Sequence, residues 1–331
     1  IWFKSTSHSD SHCWFDSVRG RAHALNSNNT NAQNTAPDAS RDLVSFDTNG
    51  FTVGVPYFNG VNGSGRSIAA FCWKAGGAAV SNTDGSVTSQ VSANTDSGFS
   101  IIKYTGTGSN LTIGHGLNEA PDFVIVKGTT TTRDWTVYHH NMNEAGAPAD
   151  DGKNCDMLLN LTNSQNTGAT TTWNSTAPTS STISIGTLAN VNESGQDYIA
   201  YAWHSVPGYS KAGYYYDTTG STASTIHCGF KPRWLMVKNI TNGDSHSSWL
   251  IYDSERASNN DSQWTTSLYA NRDYQAGLRG NGDAAGNYLN IQFHADGFSL
   301  PASSATENCA DGYQYIFLAF AEQYGDYSNA K

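Results

Sequence analysis

Phe123-Val124-Ile125-Val126-Lys127 and, after a polar loop, Asp134-Trp135-Thr136-Val137-Tyr138 read as two short strands joined by a hydrophilic turn. The same arrangement returns as Trp234-Leu235-Met236-Val237-Lys238 with Ser248-Trp249-Leu250-Ile251-Tyr252. It also opens the chain, as Ile1-Trp2-Phe3-Lys4 with Cys13-Trp14-Phe15-Asp16. Pairing each lysine with the next tryptophan gives separations of 10, 8 and 11 residues, from Lys4 to Trp14, Lys127 to Trp135 and Lys238 to Trp249. Hairpins absorb such differences in their loops.

Two further markers recur in the same order. Ile68-Ala69-Ala70-Phe71-Cys72-Trp73, Tyr198-Ile199-Ala200-Tyr201-Ala202-Trp203 and Tyr315-Ile316-Phe317-Leu318-Ala319-Phe320 are apolar on both faces, as a central core strand must be. Gly98-Phe99 through Tyr104-Thr105-Gly106 and Ile113-Gly114-His115-Gly116 lead to Pro121. Gly213-Tyr214 through Tyr216-Asp217-Thr218-Thr219-Gly220 and Ile226-His227-Cys228-Gly229 lead to Pro232. Each proline stands six residues before its lysine (127 − 121 and 238 − 232), where it starts a strand without removing an internal ladder bond.

Three markers in one order predict an all-β chain of tandem antiparallel β-sandwich-like repeat domains. The expected spans are 1–94 (an incomplete first unit), 95–207 and 208–331, each boundary strand being free to pack on the preceding unit. The first copy lacks the Gly-Phe to Pro section, because Ile1 falls inside its opening hairpin. This leads to the expectation that the chain is the C-terminal portion of something longer, or a processed product. The polar stretches 21–42, 141–180 and 255–286 are expected as long connections or small helical excursions.

Composition agrees. Hydrophobic residues are 37% and aromatics 12% of 331 residues, while only 14% are charged, so burial of rings and aliphatics rather than charged helical surface must hold the fold. Nine Trp, 17 Tyr and 13 Phe argue against disorder, and 32 Gly favour turns. The net charge of -10, with no concentrated Lys or Arg, leaves no footprint for nucleic acid. No eighteen-residue apolar run is present, so membrane insertion is not expected, and residues 1–30 lack the order of a signal peptide.

Catalytic and metal chemistry finds little support. Cys13, Cys72, Cys155, Cys228 and Cys309 are widely spaced, odd in number and without a C-x-x-C pair, and are read as ordinary buried thiols rather than zinc ligands. His139-His140 is replaced by Asp16-Ser17 and Asp253-Ser254 in the other copies, and His115 and His227 are read as turn-stabilising. Asp16, Asp47, Asp253 and Asp296 suit turn hydrogen bonding without a glycosidase dyad. Asn242-Gly243-Asp244 and Asn281-Gly282-Asp283 lack the rest of a calcium loop, and Thr105-Gly106-Thr107-Gly108 lacks the lysine of a phosphate loop. The expectation is no enzyme, no catalytic residue, no metal and no cofactor.

Aromatics carry the functional expectation. Tyr214, Tyr215 and Tyr216 alternate across a strand, Tyr209 stands just upstream, and Trp173 and Trp264 fall in polar loops. Rings beside Asn and Asp suit sugars, because they cover apolar sugar faces while polar groups pair with hydroxyls. These six residues are the candidate ligand contacts; packing against a neighbouring unit or subunit is the competing reading.

At Gly98-Phe99-Ser100, Lys103-Tyr104-Thr105-Gly106, Ile113-Gly114-His115-Gly116-Leu117, Ala120-Pro121-Asp122-Phe123-Val124-Ile125-Val126-Lys127 and Trp14-Phe15-Asp16-Ser17-Val18-Arg19-Gly20, the chain resembles a repeat domain of tail and fibre-like structural proteins of marine phages and cyanophages. The resemblance covers nearly the whole chain. It implies a non-enzymatic component of the virion surface or tail fibre that contributes to host-receptor or glycan recognition, alongside other virion proteins. It also implies a homo-oligomer, with a homotrimer favoured, whose assembly would bury surplus aromatic surface and multiply weak contacts. A purely structural capsid or tail module is the alternative, and a carbohydrate-active enzyme a more distant one. The second copy departs from the pattern at His139-His140, and the third at Gly229-Phe230-Lys231-Pro232.

Overall fold

The structure, a computed structural model, describes residues 1–143, 151–216, 225–244, 247–256, 266–277, 291–300 and 312–321. It is all-β and antiparallel throughout its named strands. Residues 1–73 form β1 (Trp2–Ser5), β2 (Cys13–Trp14), β3 (His23–Ala24), β4 (Asn34–Thr35), β5 (Leu43–Asp47), β6 (Gly50–Val53), the one-turn helix α1 (Asn59–Asn62) and β7 (Ile68–Phe71). There follow β8 (Val80–Asn82), β9 (Ser89–Asn94), β10 (Phe99–Thr105), β11 (Leu111–Gly114), β12 (Phe123–Gly128), β13 (Trp135–His139), β14 (Cys155–Leu158), β15 (Asn166–Thr167), β16 (Thr182–Ile185), α2 (Ala189–Asn192) and β17 (Asp197–Trp203). The last part holds β18 (Ser210–Tyr216), β19 (Thr225–His227), β20 (Pro232–Asn239), β21 (Leu250–Asp253), β22 (Leu268–Tyr269), β23 (Gln292–His294), β24 (Gly297–Ser299) and β25 (Gln314–Ala321). Among the described residues, no helix is long and apolar enough to cross a membrane.

Three main sheets share one strand order: β2-β1-β7, then β14-β13-β12-β17-β10 and β22-β21-β20-β25-β18. The second continues through β9 and β8 on one side and β15 on the other, so the end of the expected first unit, residues 80–94, pairs with the second sheet. Register equates the sheets residue by residue. Val126 faces Thr136 and Ala200, Val237 faces Leu250 and Phe317, and Phe3 faces Cys13 and Ala70. Lys4, Lys127 and Lys238 therefore occupy one position three times.

This register corrects the matching of tryptophans. Trp135 pairs with Lys127, and the same step back along β2 reaches His12, not Trp14. Trp14 matches Val137 and Ile251 instead, because a strand shifted by two residues keeps the same face and hides the slip from a pattern of apolar residues.

The matching residues link the three sheets into a ring. Trp135 Nε1 donates to the Asn26 carbonyl at 2.9 Å, Trp249 Nε1 donates to the Leu158 carbonyl at 3.0 Å, and His12 Nε2 lies 2.8 Å from the Tyr269 carbonyl. Those three carbonyls are equivalent, each one residue beyond the partner of Val137, Trp14 or Ile251. Asn28, Asn160 and Asn271 support the ring, their side-chain oxygens accepting the backbone N–H of His12, Trp135 and Trp249 at 3.1, 2.9 and 3.0 Å. The second part thus reaches the first, the third reaches the second, and the first reaches the third.

One face of every main sheet enters a common core containing Trp2, Trp14, Ile125, Trp135, Tyr201, Trp203, Trp234, Trp249 and Phe320. The ends of the three closing strands meet there: the Trp73 ring lies 5.9 Å from Trp203 and 5.8 Å from Phe320. Three parts of one chain together bury this aromatic surface. The other face of each main sheet is covered by a smaller sheet, β5-β6, β11-β16 or β19-β24-β23, with its own core around Phe3, Val126 or Val237. Each part is therefore a sandwich.

Two expectations about the core fail in the first part. β17 and β25 are central strands, but β7 pairs with β1 alone among the described residues, and its Ala70 is exposed. Cys72, just beyond it, is exposed, whereas Cys13, Cys155 and Cys228 are buried. Cys309 lies outside the described residues. The stretch 141–180 carries β14 and β15, and the single helical turns fall elsewhere, before β7 and β17.

Candidate functional site

Tyr214, Tyr215 and Tyr216 lie on β18, the edge of the third main sheet. Alternation sends Tyr215 inward, where it stacks on Tyr315 at 4.9 Å and is 4% exposed. Tyr214 and Tyr216 point the other way, on the face that Ala212 shares with the common core, and each is 53% exposed. Gly213 makes this placement possible: an added Cβ would meet the Phe317 ring at 2.5 Å. The result is two phenol rings two residues apart on one face, held by seven cross-strand pairs between β18 and β25.

The other expected contacts divide. Tyr209 is half-buried against the common core, with its ring 5.5 Å from Phe320. Trp173 is a correction: it is 1% exposed, its Nε1 donates to the Cys155 carbonyl at 2.9 Å, and its ring meets Tyr138 edge-on. A tryptophan in a Thr-rich stretch reads as a surface residue, but here the loop folds back over the second sandwich and inserts the ring as a plug. Tyr215 is likewise removed from the surface. Trp264 lies outside the described residues.

A polar cleft of about 230 Å³ was not legible in the sequence. Asp10, Ser11, Asn26, Tyr57, Phe58 and Asn59 line it, with Tyr57 52% exposed and set edge-on to Phe58 at 4.8 Å. Asp10 is held by Arg66 at 2.6 Å. Residues more than forty positions apart form this wall, and a Tyr-Phe-Asn run in a glycine-rich stretch is its sole trace in the sequence.

The titratable groups are tied to the fold. Asp16 accepts from the backbone N–H groups of Val18 and Arg19 and pairs with the Arg19 guanidinium at 2.6 Å, while the Tyr201 hydroxyl donates to it at 2.8 Å. Burial works against the Asp16 carboxylate, but Arg19 and these donors hold its pKa below the ordinary value. Asp253 repeats the turn with Arg256. His139 holds the same buried position without an arginine partner in the turn; its Nδ1 accepts from the Asn141 N–H and its Nε2 lies 3.3 Å from the Phe317 carbonyl. His140 pairs with Asp122, His115 accepts from the Leu117 N–H, and His227 pairs with Asp296.

No curated protein and no solved structure matches the chain. A match over residues 1–324 places the three linked sandwiches together in one family, described as Domain of unknown function (DUF7483), and the chain belongs to that family.

Proposed function

We propose that this protein is a non-enzymatic virion-surface or tail-fibre module that contributes to recognition of a host-surface glycan through Tyr214 and Tyr216. The observation that carries the reading is the pair of half-exposed phenols on a rigid edge strand, in a fold where most other large rings are buried. Rings held this way lose little conformational freedom on binding and can cover apolar sugar faces. The resemblance of the repeat markers to phage tail and fibre-like proteins supports the setting.

Glycan-array binding followed by titration of the best glycan tests it. Tyr214→Ala with Tyr216→Ala is expected to weaken binding at least tenfold, with an unchanged melting temperature and no cleavage of the glycan. Equal binding by the double variant overturns the assignment, and loss with Tyr57→Ala alone moves the contact to the polar cleft. A purely structural module is favoured by one observation, the closed ring of contacts among the three parts. It predicts no glycan binding at all.

A further inference from the structure

The polar cleft of the first part has a filled counterpart in the second. Register sets Ser11, one residue before His12, against Asp134, one residue before Trp135. The closing strands match Ala70 with Ala200, and the helical turns before them keep the same interval (200 − 70 and 190 − 60), so Gly60 matches Asn190. At the rim, Tyr57 matches Thr187 and Asn59 matches Ala189. In the second part Asn190 Nδ2 donates to Asp134 Oδ2 at 3.4 Å and Asn160 Nδ2 donates to Asp134 Oδ1 at 2.8 Å, so side chains close the space. In the first, Asn28 Nδ2 makes the matching approach to Ser11 Oγ at 3.2 Å, but a hydroxymethyl group and a glycine stand where the carboxylate and amide meet. Gly60 lets α1 sit directly on the Ser11 carbonyl, which an added Cβ would meet at 2.6 Å. The cleft of about 230 Å³ is what those smaller residues leave open.

We propose that this cleft binds one neutral pyranose ring of a saccharide. Tyr57 supplies a flat apolar face at the rim, and its backbone is pinned, because Asp42 Oδ1 accepts from the N–H groups of Tyr57 and Phe58 at 2.8 and 2.9 Å. Asp42 is itself left-handed, with φ 49°, and its buried Oδ2 has no partner among the described residues. Backbone strain and an unsatisfied buried oxygen are both costly and persist where a functional side chain must be held in place. Within the cleft, Asn26 is 7% exposed; its Nδ2 donates to the His12 carbonyl and to Cys13 Sγ, while its Oδ1 has no donor among the described residues and is left to accept from a sugar hydroxyl. The Ser11 hydroxyl accepts from Asn28 and keeps its own proton to donate. The Tyr57 hydroxyl and the Asn59 amide also have no partner among the described residues. Asp10 is balanced by Arg66, so the wall favours a neutral ligand. A ring for the apolar face of a sugar, beside amide and hydroxyl groups for its hydroxyls, is the chemistry a pyranose needs. The volume lies below the roughly 300–1,000 Å³ of sites for drug-sized ligands, which limits the occupant to one ring. The assignment stands on the geometry of the first part and not on Tyr214 and Tyr216.

The test titrates the 331-residue protein with the methyl glycosides of glucose, galactose, mannose and N-acetylglucosamine, read by saturation-transfer NMR on the sugar protons. At least one should bind saturably, with the protons of one ring face saturated most strongly. Tyr57→Ala, a change at the surface, should weaken that binding at least tenfold, whereas Tyr57→Phe keeps the ring and should keep most of the affinity. Ser11→Asp should abolish binding by restoring the carboxylate that fills the place in the second part. Tyr214→Ala with Tyr216→Ala should leave it unchanged. Melting temperatures establish that each variant is folded. Absence of saturable binding by every glycoside, or unchanged binding by Tyr57→Ala or by folded Ser11→Asp, overturns the proposal. Loss with Tyr214→Ala and Tyr216→Ala instead of Tyr57→Ala overturns it while upholding the edge-strand contact, so the two readings fail separately.

Discussion

Trp249→Ala is expected to destabilise the whole protein by about 3–5 kcal/mol, the usual cost of emptying a buried tryptophan site. Trp249 is 1% exposed, packs edge-on against Phe123 of the second sheet and donates to the Leu158 carbonyl. Alanine removes the ring and leaves that carbonyl without this donor, so two sheets lose contact at once. Because the three parts close into a ring around one core, calorimetry should show a single transition moved to lower temperature. Trp249→Phe keeps most of the packing and should cost roughly 1 kcal/mol, the net worth of one hydrogen bond. Two separate transitions, with only the third part melting early, would show that the common core does not couple the units.

Stability should rise between pH 7 and about 9, and the three equivalent lysines are the cause. Lys4, Lys127 and Lys238 are buried, and their ammonium groups meet backbone carbonyls: Ser5 at 2.5 Å, Thr30 and Arg133 at 3.0 and 2.8 Å, and Thr162 and Asn239 at 3.2 and 2.6 Å. Loss of water lowers the pKa from 10.5 to about 8 for Lys4 and about 7 for Lys127 and Lys238. Above pH 7 the folded protein releases these protons while the unfolded chain holds them up to 10.5, so the unfolded state binds more protons and stability increases with pH. The cost of burying the charge is fully present below the folded pKa values. The gain from pH 7 to 9 is on the order of 2 kcal/mol for each of Lys127 and Lys238. Above pH 9 the slope should lessen, because burial pushes the Cys13 and Cys228 thiols up to about 12 and the unfolded state then loses protons that the fold retains. Melting temperatures at fixed ionic strength from pH 6 to 10 measure the curve. Lys127→Met with Lys238→Met should flatten its rising limb, and an unchanged slope in that variant would remove the lysines as its origin.

Two of these lysines also explain part of the ring. Lys127 reaches Thr30 in the first part and Lys238 reaches Thr162 in the second, each two residues beyond the supporting Asn28 or Asn160. Lys4 takes part differently, holding Ser5 and His8, with Asp273 attracting it from the matching place after Asn271. A lysine recurring after an apolar strand looks in sequence like a solvated strand end, yet in all three places it is a buried clasp.

The amino-acid sequence alone determined the all-β class and the recurrence of its strands, because period-two alternation and fully apolar closing runs are local consequences of which faces must be buried. It also determined that Tyr215 would separate from Tyr214 and Tyr216, since neighbouring side chains leave a strand on opposite faces. Tertiary structure alone decided which aromatics remain at the surface. Trp173 and Tyr57 both sit in polar sequence, but one plugs a sandwich and the other stands at the rim of a cleft, according to how distant loops fold back. It alone decided that His12, not Trp14, belongs with Trp135 and Trp249, because loop lengths conceal register and a two-residue shift keeps the same face. The closed ring of three sheets was likewise beyond the sequence: it depends on which strand lies beside which, and pairing partners far apart in the chain are chosen by the packing of the whole rather than by any local pattern.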